Sequence, residues 1–307
     1  MLNKKMENVL KKTWVIALVA LFCCLLWGSA FPSIKVGYEL FEIASADTAA
    51  QILFAGCRFA LAGVMVIVAG SLIQGKFLKP SKAALPKVFK LCMLQTVIQY
   101  FFFYVGLAHT TGVKGSIIEA ANVFLSILIS CLIFKMEKLD AKKVIGCIIG
   151  FLGVIIVNLN GSSLDMAFNL LGDGFILISA FACAMSAVVI KIYGKTEDPV
   201  MLSGYQFLIG GLIMSVAGFA LGGRIHMSSM QGLLLLLYMA FISAGAYTIW
   251  GILLKYNPVS KVTVFGFTNP VFGVILSALI LGEGGAFTIR SMAALILVSI
   301  GIIVVNK

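Results

Sequence analysis

Apolar residues form long stretches along this chain, and short polar segments separate them. Runs of spanning length lie at about 14–37, 51–73, 86–108, 112–134, 142–159, 172–194, 200–222, 231–254, 258–282 and 288–306, called here run 1 to run 10. An α-helix needs about 20 mostly apolar residues to cross the hydrocarbon core of a bilayer. The pattern therefore predicts ten transmembrane helices.

The polar segments between the runs carry Gly, Pro, Asn and charged residues, as at 75–82, 135–143 and 161–165. Such residues end helices. No segment is long enough for a separate soluble domain, so the predicted fold is an all-α integral membrane protein. Run 1 follows four lysines but is longer than the apolar core of a signal peptide, and no small-residue cleavage site follows it. We expect it to be retained as the first helix.

Composition agrees with a membrane fold. The chain is 61% hydrophobic and 11% charged, with a mean hydropathy of +1.09. Soluble domains are about 45–50% apolar, so a water-soluble globular fold is excluded. The seven cysteines all lie in apolar stretches and show no C-x-x-C spacing. They are typical of small buried hydrophobic residues, which argues against a disulfide framework or a metal site.

The distribution of Lys and Arg predicts the orientation. With the N-terminus in the cytoplasm, 17 of the 23 basic residues fall in cytoplasmic segments. Only Lys35, Lys114, Arg224 and Arg290 fall on the outer side, and Arg58 and Lys90 lie inside runs. Basic connectors stay on the cytoplasmic side. We therefore expect a multi-pass protein of the cytoplasmic membrane with both termini in the cytoplasm. Contact with anionic lipids accounts for the net charge of +11, so no nucleic-acid partner is expected.

The two halves of the chain resemble each other. Gly153–Asn158 reads GVIIVN at the end of run 5, and Gly301–Asn306 reads GIIVVN at the end of run 10, an offset of 148 residues. At the same offset, Arg58-Phe59 aligns with Gln206-Phe207. Five helices per half make the second half enter the membrane the opposite way up. This predicts a 5+5 inverted-topology repeat, with one five-helix repeat in residues 1–160 and its inverted copy in 161–307. Chance similarity between Leu- and Gly-rich helices is the alternative.

An inverted repeat gives two halves that can exchange inward-facing and outward-facing arrangements around a site near the membrane midplane. The repeat therefore favours a secondary transporter that works by alternating access.

Short motifs in chain order resemble the EamA-like, ten-helix branch of the drug/metabolite transporter superfamily. The residues that carry the resemblance are Trp27-Gly28-Ser29-Ala30-Phe31-Pro32 with Lys35, Arg58-Phe59, Tyr104-x-Gly106-Leu107-Ala108 with Thr110-Thr111, Glu137, the glycines 146, 150 and 153, Asn269-Pro270 and Glu283. Two positions depart from the family pattern, Val123 and Cys183-Ala184. The resemblance implies a carrier of small metabolites, commonly amino acids, often an exporter, with its cavity between the two halves.

A polar stripe follows one face of run 4. Glu119 is the only carboxylate deep inside any run, and helical spacing places it on one face with Gly115, Asn122, Ser126 and Ser130. Run 9 repeats the stripe at an offset of 147 as Gly266, Asn269, Gly273 and Ser277. Two facing stripes suit a central substrate pathway. Tight packing through small residues is the alternative.

Glu119 has three candidate roles: a proton carrier, a counter-ion for a substrate amine, or the structural partner of a buried Arg58. Both residues lie seven residues from the outer end of their runs, so their depths match. A buried pair is far less costly than a buried single charge. These roles stay open, as does coupling to protons.

Further candidates for substrate binding lie in runs 3 and 8. Gln95 and Gln99 stand one turn apart and Tyr104 follows them, while Tyr247 and Trp250 belong to run 8. Glutamines also tie helices together, and aromatic residues often only pack, so both alternatives remain.

Gly28, Pro32 and Pro270 are candidate hinges, because glycine is permissive and proline removes one backbone hydrogen bond. A small-residue contact between runs 1 and 6 is the alternative for Gly28.

An enzyme has no visible chemistry in this sequence. His109 and His226 lie in connectors, and no Asp lies in the middle of a run. We therefore expect no catalytic residues, no metal and no cofactor. No segment resembles a selectivity filter. The predicted function is export of an amino acid or related small molecule, and a lipid scramblase or another non-enzymatic membrane protein is the alternative.

Overall fold

The computed structural model describes residues 4–44, 46–109, 112–158, 168–226, 229–281 and 289–307. Within these ranges all regular secondary structure is helical and no strand occurs. This confirms the predicted all-α class.

Thirteen α-helices occur in the described residues, joined or extended by short segments of other helical types. A π-helical segment, Met93–Ile98, joins α4 to α5, a second, Ile129–Ile133, extends α6, and a third, Leu170–Gly174, precedes α8; a 3-10 turn, Val264–Phe267, joins α11 to α12. The α-helices are α1 Lys4–Leu10, α2 Thr13–Leu40, α3 Thr48–Gln74, α4 Leu85–Cys92, α5 Gln99–Ala108, α6 Gly112–Leu128, α7 Ala141–Asn158, α8 Phe175–Tyr193, α9 Pro199–Ala220, α10 Met230–Tyr256, α11 Val259–Thr263, α12 Thr268–Leu281 and α13 Ile289–Asn306.

Each predicted run coincides with helix in the structure. Among the described residues, six helical segments are long and apolar enough to cross a membrane, and two further apolar helices are shorter. Run 5 forms α7, and run 9 is divided between α11 and α12. The chain is a multi-pass membrane protein, and ten crossings remain a prediction.

The outer surface of the helices is apolar and the interior holds polar groups. Leu72, Ile73 and Val216 are 77%, 86% and 68% exposed, whereas the Thr96 and Gln206 side chains are fully buried. In water such a surface would be an aggregation liability. Lipid is its natural solvent, because hydrocarbon contacts apolar side chains and every polar group must find a partner inside the protein.

The helix pairs with the most extensive contacts join one half of the chain to the other. Helix α3 packs on α9, α7 on α13, α6 on α8, and α2 on both α10 and α12. In each pair, one helix lies in residues 1–160 and the other in 161–307. The halves are therefore interlaced, and they do not form two separately packed domains. The repeat boundary at 160 stays a prediction.

Two of these pairs bring their backbones into direct contact. A Cβ added to Gly211 of α9 would overlap the backbone of Ala60 in α3, and one added to Gly301 of α13 would lie 2.6 Å from the Gly146 carbonyl oxygen in α7. Small residues permit this approach, as in other membrane helix pairs.

The candidate hinge residues lie in different surroundings. Helix α2 continues through Gly28 and Pro32 without interruption. A Cβ on Gly28 would lie 2.5 Å from the Phe272 Cβ, so Gly28 permits the contact of α2 with α12. The alternative that named run 6 as its partner is therefore wrong. Pro270 lies just after the 3-10 turn in run 9, where its missing N–H makes a continuous α-helix unfavourable. Hinge motion remains a prediction.

The predicted cytoplasmic end is held by polar contacts between the halves. Glu137 accepts a hydrogen bond from the Ser260 backbone N–H at 3.2 Å and another from the Ser260 hydroxyl, and it pairs with Lys143 at 3.1 Å. Lys87 pairs with Glu197 at 2.5 Å. The contacts of Glu137 with Ser260 and of Lys87 with Glu197 join the two halves at that end.

Candidate functional site: a polar and aromatic cluster between the halves

The predicted stripe on run 4 lies on one face of α6, but most of its polar groups bind their own helix. The Asn122 amide donates to the Glu119 carbonyl oxygen at 2.7 Å, and the Ser126 hydroxyl donates to the Asn122 carbonyl oxygen at 2.7 Å. Ser130 does the same with Ile127 at 3.1 Å. Such side chains satisfy themselves locally. The Glu119 carboxylate, in contrast, lies against another helix.

Glu119 faces α8. Ser179 and Cys183, one turn apart on α8, lie next to its carboxylate, together with the Asn122 side chain. The Glu119 Oε2 atom is nevertheless buried with no hydrogen-bond partner, and so is the Ser179 hydroxyl oxygen. Buried polar atoms are almost always hydrogen-bonded, so this pair of atoms is an exception that needs an explanation.

Arg58 lies inside the bundle, as predicted, but apart from Glu119. Its side chain is 5% exposed, its Nε atom has no partner, and its guanidinium carbon lies 4.4 Å from the Phe59 ring centroid and 5.9 Å from that of Tyr100. In the described part of the chain, no ion pair joins Arg58 to Glu119. The predicted pair is therefore not formed in this conformation, because the guanidinium lies against aromatic rings.

Tyrosines of both halves cluster near Arg58. The Tyr100 ring centroid lies 5.9 Å from the guanidinium carbon, and Tyr38, Tyr104 and Tyr247 pack in the same cluster as Tyr100. The hydroxyls of Tyr100 and Tyr247 share a hydrogen bond of 2.6 Å between α5 and α10. These tyrosines come from three helices of the two halves, so Arg58 lies where the halves meet.

Trp27 completes one side of the group. Its ring makes edge contacts with Tyr247 at 4.9 Å and Trp250 at 5.0 Å between centroids. The Trp27 indole N–H is buried without a partner. The structure thus brings the predicted residues Tyr104, Tyr247 and Trp250 together with Trp27.

The two predicted glutamines have different surroundings. Gln95 donates to the Ser186 hydroxyl at 3.2 Å and accepts from the Gln206 amide at 3.1 Å, and Gln206 in turn accepts from Thr96 at 2.6 Å. All four side chains are buried. Gln95 therefore ties helices together, which is the alternative that the sequence left open.

Gln99 belongs to the same region as Arg58 and Glu119. It is 5% exposed, lies next to Cys183, and its Oε1 atom has no hydrogen-bond partner. Gln95 lies in the π-helical segment and Gln99 begins α5. Two residues four apart therefore have different partners in the structure.

Asn269 is half-buried and carries a further buried oxygen atom without a hydrogen-bond partner. Its Oδ1 atom makes no hydrogen bond. It lies one turn beyond Gly266, where an added Cβ would be 3.0 Å from a methyl group of Val123 in α6. The two predicted stripes are therefore neighbours at this point, with Pro270 directly after Asn269.

We call Trp27, Arg58, Gln99, Tyr100, Tyr104, Glu119, Ser179, Cys183 and Tyr247 the central cluster. Sequence reasoning did not single out Tyr100 or Ser179, and it noted Cys183 only as a departure from the family pattern. For Tyr100 a signal existed, since it precedes Tyr247 by 147 residues, the offset of the predicted repeat. Phe59 and Phe207, 148 residues apart, likewise stack at 5.4 Å. Ser179 and Cys183 carried no comparable signal. Within the described ranges, no three His, Cys, Asp or Glu side chains are grouped as metal ligands.

Comparison with known proteins gives consistent matches over the whole chain. The model of the EamA-like transporter family matches residues 14–159 and 170–307. An uncharacterized transporter of Archaeoglobus fulgidus is 28% identical over 303 residues, which are 97% of this chain and 99% of the relative. A probable amino-acid metabolite efflux pump of Salmonella typhimurium is 25% identical over 298 residues, 92% of each chain. A solved crystal structure with 16% identity covers 94% of this chain and 95% of its own at a TM-score of 0.75, which shows the same fold.

Proposed function

Because the chain belongs to the EamA-like transporter family, we propose that it exports an amino acid or a related small metabolite through the cell membrane by alternating access. Relatives from Salmonella typhimurium and Escherichia coli carry the name of probable amino-acid metabolite efflux pumps. The family and these names describe transporters and not enzymes.

One observation carries the proposal for the site. Five polar atoms of the central cluster are buried without a hydrogen-bond partner: Trp27 Nε1, Arg58 Nε, Gln99 Oε1, Glu119 Oε2 and Ser179 Oγ. Each such atom costs about 1–3 kcal/mol if it stays unpaired. A polar substrate that binds here recovers that cost. A concentration of unpaired groups at one place therefore favours a binding site over a packing core.

The arrangement of helices supports alternating access. The central cluster takes residues from α2, α3, α5, α6, α8 and α10, which belong to both predicted repeats. Glu137 and Lys87 hold the halves together at the predicted cytoplasmic end. An exporter must break such contacts to admit substrate from the cytoplasm. Glu119 is the group in the cluster that we assign to a substrate amine or to a coupled proton.

Counterflow in proteoliposomes tests the proposal. Vesicles loaded with unlabelled amino acids are diluted into the same labelled compounds one at a time, and accumulation is compared for wild type, Glu119→Gln and the matched control Glu39→Gln, which changes an exposed carboxylate. We expect wild type and the control to exchange at least one compound, and Glu119→Gln to lose about tenfold or more of that rate, since hydrogen bonds to charged groups are strong.

Two results would contradict the proposal in different ways. If wild type exchanged no amino acid but accelerated lipid flipping in the same vesicles, the scramblase alternative would replace the transporter. If Glu119→Gln exchanged as fast as wild type with an unchanged pH profile, transport would stand without Glu119.

A further inference from the structure

Arg58 is a buried cation for which the described part of the chain supplies no acceptor. A guanidinium has five N–H donors and stays charged under all ordinary conditions. The side chain is 5% exposed, yet it makes no hydrogen bond or ion pair with another part of the described chain, and its Nε is enclosed. Such a group is expected to have an anionic partner in at least one state of the protein.

The aromatic rings near Arg58 do not replace an anion. The guanidinium carbon lies 4.4 Å from the Phe59 ring centroid, which is close enough for a cation–π contact. Such a contact offsets only part of the cost of removing a guanidinium from water, and it satisfies none of the five donors. The contact holds the side chain in place while the N–H groups remain available.

Lipid phosphate is too far away to be the anion. Arg58 is the eleventh residue of α3, which begins at Thr48. At the helical rise it lies about 15 Å from that end, which is near the middle of the hydrocarbon core. An anion that meets Arg58 therefore arrives along the transport pathway.

The tyrosines around Arg58 add donors for the same anion. In the hydrogen bond between the Tyr100 and Tyr247 hydroxyls, one hydroxyl donates and the hydrogen of the other remains free. Tyr104 lies beside Tyr100, with 6.4 Å between the ring centroids, and Tyr38 packs in the same cluster. One cation with several hydroxyl donors matches a carboxylate, which accepts up to four hydrogen bonds.

The other side of the central cluster has the opposite polarity. Glu119 presents an unpaired carboxylate oxygen, and Gln99 presents an unpaired carbonyl oxygen beside Cys183. Both atoms only accept hydrogen bonds, so this side matches an ammonium group. Glu119 and Arg58 form no ion pair with each other in the described chain, so neither charge is neutralised by the other, although Ser179 and Asn122 lie beside the Glu119 carboxylate.

We infer that Arg58 is the carboxylate-binding residue of the transport site and that Glu119 binds the ammonium group, so that the substrate is a zwitterion held between two separate charged subsites. This inference rests on the proposed function, because it assigns the orientation of the substrate in the same cluster. It makes Arg58 a specificity-determining residue in place of a structural partner for Glu119.

Competition by matched compounds tests the assignment. Counterflow of labelled L-phenylalanine and L-leucine is measured with three competitors for each: the amino acid, the amine that lacks the carboxylate (phenethylamine, isoamylamine), and the acid that lacks the ammonium group (3-phenylpropionate, 4-methylvalerate). The variants are Arg58→Gln and Glu119→Gln, and Arg224→Gln is the matched control, since Arg224 is exposed near the end of α9.

In wild type and Arg224→Gln, the amino acid should compete about tenfold or more better than either truncated compound, because a site built to hydrogen-bond a group rejects analogues that lack it. Arg58→Gln should lose the advantage of the amino acid over the amine and keep its advantage over the acid. Glu119→Gln should show the converse. If Arg58→Gln does not fold, Arg58→Lys should fold and retain a smaller preference for the carboxylate, because a lysine cannot bind it in the same bidentate way.

Each outcome decides the inference. The inference is overturned if Arg58→Gln keeps the full preference for the amino acid over the amine. It is also overturned if wild type shows no such preference. In both cases, exchange of the amino acid by wild type still supports the proposed function. Loss of both preferences in both variants also overturns it, because it shows a single site that is not divided by charge. Failure of wild type to exchange any amino acid overturns the proposed function and this inference with it. Stronger competition by inorganic phosphate than by the acids would replace carboxylate with phosphate as the anion and so also overturn it.

Discussion

Gln95 and Gln99 are four residues apart, and their environments predict opposite effects of truncation. Gln95→Ala leaves Gln206 without one partner inside the protein, so we expect the free energy of unfolding to fall by about 1–3 kcal/mol. Gln99→Ala removes a carbonyl oxygen that has no hydrogen-bond partner in the described chain, so stability should fall less than in Gln95→Ala while counterflow falls. Denaturant unfolding in detergent and counterflow, measured on both variants, check this pair.

The reverse assignment, with Gln95→Ala stable but inactive and Gln99→Ala unstable, would contradict the division between a structural and a functional glutamine.

Part of the site could be predicted at the level of single residues. The deep carboxylate Glu119 and the aromatic residues Tyr104 and Tyr247 stood out because such residues are rare or oddly placed in apolar runs. The surroundings of Arg58 could not be predicted, because sequence fixes the depth of a residue along its helix but not which neighbour its side chain meets. The direction of the Gln99 side chain could not be predicted either, because the π-helical segment before Gln99 departs from the regular α-helical spacing.

At the level of elements, the contact between α3 and α9 predicts a strong effect of a single methyl group. Gly211→Ala places a Cβ against the Ala60 backbone, so the two helices must separate, at a cost of about 1–3 kcal/mol. Gly245→Ala in α10 is the matched control, since its nearest neighbour would be the Leu26 side chain at 3.9 Å. Thermal unfolding in detergent should show a lower midpoint for Gly211→Ala alone; equal midpoints would mean that the pair is not tightly packed.

The polar contacts of Glu137 predict a second effect between elements. Glu137→Gln loses the ion pair with Lys143 and weakens the bond to Ser260, so the predicted cytoplasmic end should open more often. In a cysteine-free background with Ser126→Cys, maleimide labelling from the cytoplasmic side should be about threefold faster or more, the gain expected from weakening one such bond. Glu39→Gln supplies the comparison, and an unchanged labelling rate would show that Glu137 does not hold this end closed.

The apolar runs predicted the positions of the helices well. They did not predict where the helices depart from regular α-helical geometry. Most observed ends lie within a few residues of the runs, because a membrane helix must hide all its backbone groups over a fixed thickness. The 3-10 turn in run 9 depends on how that run packs, and only Pro270 marked its location. Three π-helical segments carried no signal in the sequence.

For the whole molecule, the bias of basic residues predicts which ends face the cytoplasm. In a cysteine-free background, Lys79→Cys should react with an impermeant maleimide only after the cells are permeabilised, whereas Arg224→Cys should react from outside intact cells. Labelling of position 79 in intact cells would reverse or break the proposed topology.

The overall architecture could be predicted only in part. The offset of 148 residues aligned Phe59 with Phe207 as equivalent positions of the predicted repeat, and the two rings stack in the structure. The interlacing of α3 with α9 and of α7 with α13 was not predicted, because apolar helices of similar composition offer many compatible partners.

This interlacing has a consequence for biogenesis. Residues 1–160 leave the ribosome before any helix that packs most extensively against them has been made. Helix α3 remains in the bilayer until α9 has been made, and α7 remains until α13 has been made. Until then, the small-residue faces of α3 and α7 lack the helices that they contact most extensively, whereas Arg58 already has Phe59 and Tyr100 of the first half beside it. Insertion therefore passes through a partly assembled molecule in which the faces of α3 and α7 that later contact α9 and α13 still face lipid.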